Sequence, residues 1–311
     1  TLDRAVEITG VPRGEILELA RLIGTAEKAI VQPSNGLSHH INGIPTHRAV
    51  ICLNVITGNV NKPGTNFPAQ ETAADMSAGF RTYEADFATE RFPKSARPKV
   101  GSSRFPLWSE MFYEAQSMDL IRSCQTEEPY PIKAMYAHGV NNRMYPESSK
   151  LLTAACNMEL VVAVDIFMTD FCRFADFVLP ACSSFERSEV KAYPGGWVNY
   201  TSPAIQPLYD SRDDVAIITM MANALELDDA LLRAGYDVSI KDIYRDVPID
   251  LDAVKAAGFP GKIPCGAGKD FFDAPLKTPS GKIELYSEQI ARYERSHGLN
   301  PLPVYLNGYD N

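Results

Sequence analysis

The chain has 311 residues, 45% of them hydrophobic and 22% charged, which is enough apolar material for one or two ordinary cores. Its formal net charge of −9 argues against non-specific binding to nucleic acid or to an anionic membrane surface, both of which need basic patches. No apolar run approaches the roughly 20 residues that span a bilayer, so direct membrane insertion is not expected. An anionic ligand stays open, because backbone amides hold phosphate without net positive charge.

The chain starts at Thr1, without a methionine or a targeting segment, and enters a helix almost at once. With no strand before it to pack on, this reads as a piece of a longer protein. Pro12 to Ile23 sets Ile16, Leu17, Leu19, Ala20, Leu22 and Ile23 against Glu15, Glu18 and Arg21, an amphipathic helix with proline in its opening turn. Lys28 to Gln32 is predicted as a short apolar strand that runs into the loop Pro33 to His40. Thr46 to Ile56 is predicted as a helix, stopped by the Gly- and Pro-containing stretch Thr57 to Gly64. From Asn66 to Pro106 periodicity dissolves and prolines recur at 68, 93, 98 and 106, which predicts a long excursion over the surface.

Helix returns over Trp108 to Ser123. Ile132 to Ala137 is the next strand, ending in the loop His138-Gly139-Val140-Asn141-Asn142, and Pro146 to Met158 is a helix. Leu160 to Val164 is a buried strand that ends on the carboxylate of Asp165; a short helix follows, then a second apolar strand, Ala175 to Ala181, stopped by Pro180. Trp197 to Thr201 reads as a further short strand. Asp213 to Leu225, with Val215, Ile217, Ile218, Met220 and Met221, is nearly continuously apolar and is predicted to be buried. After Glu226 come polar helical pieces at Asp228 to Gly235 and Lys241 to Asp246. Glycine and proline are frequent from Gly258 to Gly281, and the tail Ser296 to Asn311 reads as a linker.

This alternation predicts an α/β fold: a parallel sheet with helices on both faces, Rossmann-like and three-layered, plus a helical and irregular C-terminal extension. The expected division is a helix from the end of a preceding domain over 1–26, an α/β domain over 27–225 with a long insertion at 66–128, and a helical and linker segment over 226–311 leading to a further C-terminal domain. Three strand-to-helix loops, Ser34 to His40, His138 to Asn142 and Asp165 to Thr169, would meet at the carboxyl edge of the sheet, where open α/β sheets bind nucleotides. Gly36 and Gly139 let backbone approach a ligand, while Asn141, Asn142, Asp165 and Thr169 can hydrogen-bond a base, ribose or phosphate. Asp165 and Thr169 have a plainer reading as helix caps. Neither a P-loop nor a Gly-x-Gly-x-x-Gly fingerprint is present.

His39-His40 reads as loop or ligand contacts rather than a metal site, and His138 as a packing or hydrogen-bonding residue. Glu186-Arg187 with Glu189 offers an acid/base group or an ion pair, of which the ion pair is preferred. The six cysteines, at 52, 124, 156, 172, 182 and 265, form no Cys-x-x-Cys pair, which argues against zinc or iron–sulfur ligation by this chain. Cys52, Cys156 and Cys172 sit in apolar helical patterns and are expected in the core. Spacing supports no catalytic triad.

Several segments together resemble one family. Thr9-Gly10-Val11-Pro12 through Glu18-Leu19-Ala20-Arg21, then Leu53 to Gly58-Asn59-Val60-Asn61-Lys62-Pro63-Gly64, resemble the molybdopterin oxidoreductases of the dimethyl sulfoxide reductase superfamily. Val164-Asp165-Ile166-Phe167-Met168-Thr169, Ala175 to Pro180, Glu186, and Thr278 to Leu285 match later signatures of that family in the same order. The second loop departs from it, with Gly139-Val140-Asn141-Asn142 where many members have Gly-x-Asn-Pro.

The resemblance implies a bis(pyranopterin guanine dinucleotide) cofactor carrying molybdenum or tungsten, with this chain forming the central domain that grips one guanine dinucleotide arm. On that reading Asn35, Gly36, His39, Gly139, Asn141, Asn142, Asp165 and Thr169 contact the cofactor, and Asp165 accepts from guanine N1 and N2. No residue of this chain is expected to be catalytic or to ligate the metal. An iron–sulfur cluster is expected only in an N-terminal domain outside the chain. The expected partners are the remaining domains of the parent enzyme and an iron–sulfur electron-transfer subunit, in a cytoplasmic or periplasmic enzyme. Activity is expected of the parent and not of this segment alone, and the 66–106 excursion is a candidate for part of a substrate funnel. The alternatives are a non-redox member resembling acetylene hydratase, or a stand-alone nucleotide-binding module.

Overall fold

A computed structural model describes residues 1–66, 97–112, 114–193, 195–245, 247–263, 276 and 278–307. Most of the excursion expected over Asn66 to Pro106 lies outside the described residues, as do Cys265 and the last residues of the tail. The chain divides into two units, one comprising residues 1–70 with 268–311 and the other 71–267.

The first unit begins with α1 (Leu2–Thr9) and α2 (Arg13–Thr25), the latter entered from Pro12 with Glu15 in its first turn, where a carboxylate complements the helix dipole. The strand expected over Lys28 to Gln32 does not form. Its backbone groups are taken by asparagine side chains instead of a neighbouring strand. Asn59 Oδ1 accepts from the Ala29 N–H at 2.9 Å and Asn54 Nδ2 donates to the Val31 carbonyl at 2.9 Å. An apolar run whose polar backbone is satisfied this way has no call for a ladder.

A short helix, α3 (Asn35–Ser38), is followed by α4 (Gly43–Ile56). Gly43 starts α4 so close to the preceding turn that a Cβ would lie 2.2 Å from the Ser38 carbonyl oxygen, so no larger residue fits without moving backbone. The tail returns to α4: Arg48 Nη2 donates to the carbonyls of Leu285 and Pro301 at 2.9 and 2.8 Å, and Asn42 exchanges two hydrogen bonds with the backbone of Leu306.

In the second unit the single helix expected over Trp108 to Ser123 is two, α5 (Pro106–Phe112) and α6 (Leu120–Thr126), joined through a 3-10 turn at Ser117–Asp119. Asp119 accounts for the break. It is fully buried, and Arg104 and Arg122 donate to its carboxylate at 2.6 to 2.9 Å. The hydrogen bond from Arg122 holds that carboxyl below the usual carboxylate range.

The parallel sheet forms as expected. Strands β1 (Ala134–His138), β2 (Leu160–Asp165) and β3 (Phe177–Pro180) lie side by side in that order, all parallel. Helix α7 (Ser148–Cys156) crosses from β1 to β2, and a 3-10 turn, Cys172–Phe174, precedes β3. Ala137, Ala155, Val161, Ala163, Phe171 and Cys172 form the core on one face. The alanines let α7 approach the sheet closely, and Phe171, 1% exposed, fills the remaining space.

Asp176 pins the entry of β2. Its carboxylate Oδ2 accepts from the buried Val161 N–H at 2.7 Å while its own N–H donates to the Val161 carbonyl at 2.9 Å.

Trp197–Thr201, expected as one more strand, is the centre of a second and antiparallel sheet. It is β5, paired with β4 (Glu189–Tyr193) on one side and with the two-residue β6 (Gly261–Lys262) on the other. Helices α8 (Asp214–Ala224), α9 (Ala230–Ala234), α10 (Tyr236–Ile243) and α11 (Leu251–Ala257) complete the unit. The aspartates Asp213, Asp229 and Asp250 cap α8, α9 and α11 with hydrogen bonds to their first amides. A second core joins Val198, Tyr244, Val247, Leu251 and Ile263.

Two expectations fail by exposure. Helix α8 buries Ile217 and Ala222, but Met220 is 61% exposed: the helix is apolar all round while only one face is covered. Cys156, at the end of α7, is exposed rather than core; Cys172 is buried and Cys52 is half-buried.

Candidate functional site

Parallel pairing brings the carboxyl ends of β1 and β2 to one edge, with His138 opposite Val164. The loop after β1 is fixed to that edge at once, because the Gly139 N–H donates to the Val164 carbonyl at 2.9 Å. Gly139 takes φ 62°, and a Cβ there would meet no atom within 4 Å. Its glycine therefore answers to backbone conformation, and the peptide is left open on its outer side.

Asn141 Oδ1 accepts from the Arg143 N–H at 3.1 Å. Asn142 is 3% exposed; its Nδ2 donates to Ser148 Oγ at the start of α7, while its Oδ1 is buried with no partner among the described residues. An orphaned buried acceptor costs about 1–3 kcal/mol, so this amide has room for a donor that the described residues do not supply.

The second loop leaves β2 at Asp165, which is half-buried. Its Oδ1 accepts from the Phe167 N–H at 3.0 Å, and Oδ2 has no partner among the described residues. Thr169 works as a cap, with Oγ1 accepting from the Cys172 N–H at 3.3 Å and donating to Cys172 Sγ. The two loops are tied together by Arg143, whose Nε donates to Asp170 Oδ2 at 2.6 Å. Around this bridge Met144, Ile166, Phe167 and Met168 all stand more than half exposed. One edge thus offers an open peptide, an orphaned amide oxygen, a free carboxylate oxygen and an apolar rim, a combination able to take a planar polar ligand with donor groups.

Beside it, His138 Nε2 lies 2.9 Å from Asp214 Oδ1, and Arg187 donates to Oδ2 of the same carboxylate. The pairing expected of Arg187 is therefore with Asp214, on α8. Burial, and then the charge of Asp214, push the Tyr136 phenol up from its ordinary value.

Among the described residues Glu186 has no ion-pair partner. It is buried and accepts from the Ser183 N–H and Oγ–H, the Leu208 N–H at 2.6 Å, and Ser211 Oγ. Those hydrogen bonds, the Ser183 hydroxyl first, lower its carboxyl to about 2. It is a staple between two loops.

Of the residues singled out by sequence, Gly139, Asn141, Asn142, Asp165 and Thr169 share this edge of one unit. Asn35, Gly36 and His39 belong to the other unit, where all three are exposed on and just after α3; the His39 N–H donates to the Asn35 carbonyl, and Gly36 has open space where a Cβ would be. In the same loop His40 Nδ1 accepts from the Asn42 N–H at 3.1 Å. Sequence reasoning missed Arg143, Ser148, Asp170 and Asp214 as parts of the arrangement. The His138–Asp214 contact joins residues 76 apart in sequence, which no local spacing signals. Among the described residues no group of three or more His, Cys, Asp or Glu side chains is placed to hold a metal ion. No described helix is long and apolar enough to cross a membrane.

Comparison with known proteins gives this edge a context. The family model described as "Molybdopterin oxidoreductase" matches residues 17–224, more than half of the chain. The probable oxidoreductase YoaE of Bacillus subtilis is 28% identical over 314 residues, spanning 97% of this chain and 42% of that protein. Dimethyl sulfoxide reductase DmsA of Escherichia coli is 27% identical over 345 residues, covering 100% of this chain and 41% of its own length. Acetylene hydratase of Syntrophotalea acetylenica is 26% identical over 332 residues, covering 98% and 44%. A solved structure, acetylene hydratase from Pelobacter acetylenicus, superposes with a TM-score of 0.70 at 24% identity over 98% of this chain and 44% of that one, which is a likeness of fold. The chain thus spans less than half the length of the relatives it matches.

Proposed function

The chain belongs to the molybdopterin oxidoreductase family, and from that premise we propose that it is the part of a larger enzyme that holds one guanine dinucleotide arm of a pyranopterin cofactor. The observation that carries the reading is the unsatisfied hydrogen-bonding capacity at the carboxyl edge of the parallel sheet: the open Gly139 peptide, the orphaned Asn142 Oδ1 and the free Asp165 Oδ2. Guanine N1 and N2 are adjacent donors, and a carboxylate accepts from both.

The acceptor set fits the group. Asp165 would take the base edge, with its turn preset by the Phe167 N–H. Asn142 would accept a donor from the ligand, and Gly139 would let the ligand lie against backbone. Arg143, bound to Asp170, locks the two loops at one spacing, so the contacts are preorganised rather than assembled on binding. Asn35, Gly36 and His39 are assigned as cofactor contacts on the strength of family resemblance and of the exposure of their loop.

When bound, the cofactor supplies a molybdenum or tungsten centre for oxygen-atom, electron or hydration chemistry. The residues of this chain bind and orient it, and none of them is assigned a catalytic role. Redox chemistry is the reading favoured by the dimethyl sulfoxide reductases among the relatives. The match to acetylene hydratase supports a hydratase-type enzyme as the second reading.

Because the relatives are more than twice as long as the matched segment, we assign the exposed apolar residues of α2 and α8, such as Leu19 and Met220, to contacts with the rest of the parent enzyme. An iron–sulfur domain or subunit is the expected electron partner. The test is the metal and pterin content of the full-length enzyme purified without oxygen. Stoichiometric molybdenum or tungsten with two pterins per polypeptide is expected; absence of both metals and of pterin would end the proposal.

A further inference from the structure

The cluster His138–Asp214–Arg187 stands at the same sheet edge and is not used by the reading above. Asp214 is the first residue of α8, and its two carboxylate oxygens are divided, Oδ1 to His138 Nε2 at 2.9 Å and Oδ2 to Arg187. A carboxylate only accepts, so Nε2 must carry the imidazole proton. Arg187 removes the alternative in which Asp214 turns away from the ring. In its neutral form the ring then has a bare Nδ1, which has no partner among the described residues, on a side chain that is 38% exposed.

The place of this acceptor narrows what it can bind. His138 pairs with Val164, so by strand alternation it leaves the sheet on the face opposite to that of Asp165, the next residue along β2. A ligand touching both must lie across the carboxyl edge, past the open peptide of Gly139. Of the groups on a nucleotide so placed, phosphate oxygens are acceptors and gain nothing from a bare nitrogen. The donors of the guanine edge are assigned to Asp165. What is left is a hydroxyl of the ribose.

We infer that His138, fixed as the Nε2–H tautomer by Asp214 and Arg187, accepts a hydrogen bond from a ribose hydroxyl of the nucleotide held at this edge. This rests on the guanine nucleotide reading above. His138 contacts the ligand, while Asp214 and Arg187 are positioning residues that act through the ring.

The test uses the full 311-residue chain with GDP and 2′,3′-dideoxyguanosine diphosphate as probes, titrated calorimetrically, beside 15N spectra of the labelled histidines. The wild-type chain should show the Nε2–H tautomer for His138 and prefer GDP over the dideoxy analogue by about tenfold, the worth of one such hydrogen bond. In Asp214→Asn, Arg187 keeps the amide oxygen and turns the amide nitrogen toward the ring. The proton should then move to Nδ1, and the preference should fall, because the hydroxyl has to turn from donor to acceptor. His138→Phe should abolish the preference without a tautomer to read.

Asp165→Ala should weaken both probes alike. A preference retained in His138→Phe, or an Nδ1–H tautomer in the wild-type chain, would overturn the inference. If both probes bind in an Asp165-dependent way with no preference between them, the ribose contact falls and the nucleotide reading stands. If neither binds, both fall.

Discussion

Removing the Asp176 side chain tests how the fold holds Asp165 in place. Val161 opens β2, and its N–H and C=O are both bound by Asp176, through the carboxylate at 2.7 Å and the backbone at 2.9 Å. Val161 is 2% exposed, but Asp176 is exposed, so water can take the place of part of the lost carboxylate. An unsatisfied buried donor costs about 1–3 kcal/mol, and the access of water to the vacated position places Asp176→Ala at the low end, at about 1 kcal/mol. Asp176→Asn keeps an oxygen that can accept and should cost less than that.

Native-state hydrogen exchange reads this directly. Protection of the Val161 amide should fall about fivefold in Asp176→Ala, the equivalent of ~1 kcal/mol, and less in Asp176→Asn. Loosening at Val161 should reach Asp165 four residues on, because the register of β2 fixes where the strand ends. Unchanged Val161 protection in Asp176→Ala would refute the claim that this carboxylate sets the entry of the strand.

Other outcomes follow from the same geometry. Gly139→Ala should cost about 1–2 kcal/mol in thermal unfolding, the price of a left-handed backbone alone, since its Cβ meets nothing within 4 Å. Gly43→Ala should cost more, because its Cβ would sit 2.2 Å from a carbonyl oxygen; equal melting shifts for the two would contradict the packing argument. The Glu186 carboxyl is lowered to about 2 in the folded chain. Its contribution is therefore complete above the ordinary carboxylate range near 4.5 and is lost as pH falls from there toward 2. Glu186→Gln should thus be less stable than wild type at neutral pH and lose less on acidification to pH 2, and parallel stability-against-pH curves for the two would dismiss the assignment.

The parallel sheet was legible in the chain because β2 and β3 are short continuous apolar runs with abrupt stops at Asp165 and Pro180, the mark of strands covered on both faces. The candidate loops were legible for the same reason, being what lies between such runs and the next helices. Lys28 to Gln32 has the same apolar look, but Asn54 and Asn59 satisfy its backbone, and side chains 20 to 30 residues distant leave no trace in a local pattern. The antiparallel sheet was half legible. Trp197–Thr201 stands out by its aromatic and β-branched residues, whereas Glu189–Tyr193 reads first as a charged stretch. The glycines Gly195 and Gly196, at φ 81° and 79°, mark the turn joining the two strands, and they were the available signal. At the site, sequence could name the groups that end on loops but not Arg143–Asp170 or His138–Asp214, which exist only once the sheet has brought β1 beside β2 and α8 beside β1.

The most direct test of the central claim is the guanine nucleotide released from the full-length enzyme on denaturation, measured per polypeptide for wild type and for Asp165→Ala. Two guanines per wild-type polypeptide, and loss of at least one in Asp165→Ala with a folded, soluble protein, is the predicted result. Full guanine content in Asp165→Ala would contradict the assignment of this sheet edge as the place where the dinucleotide is held.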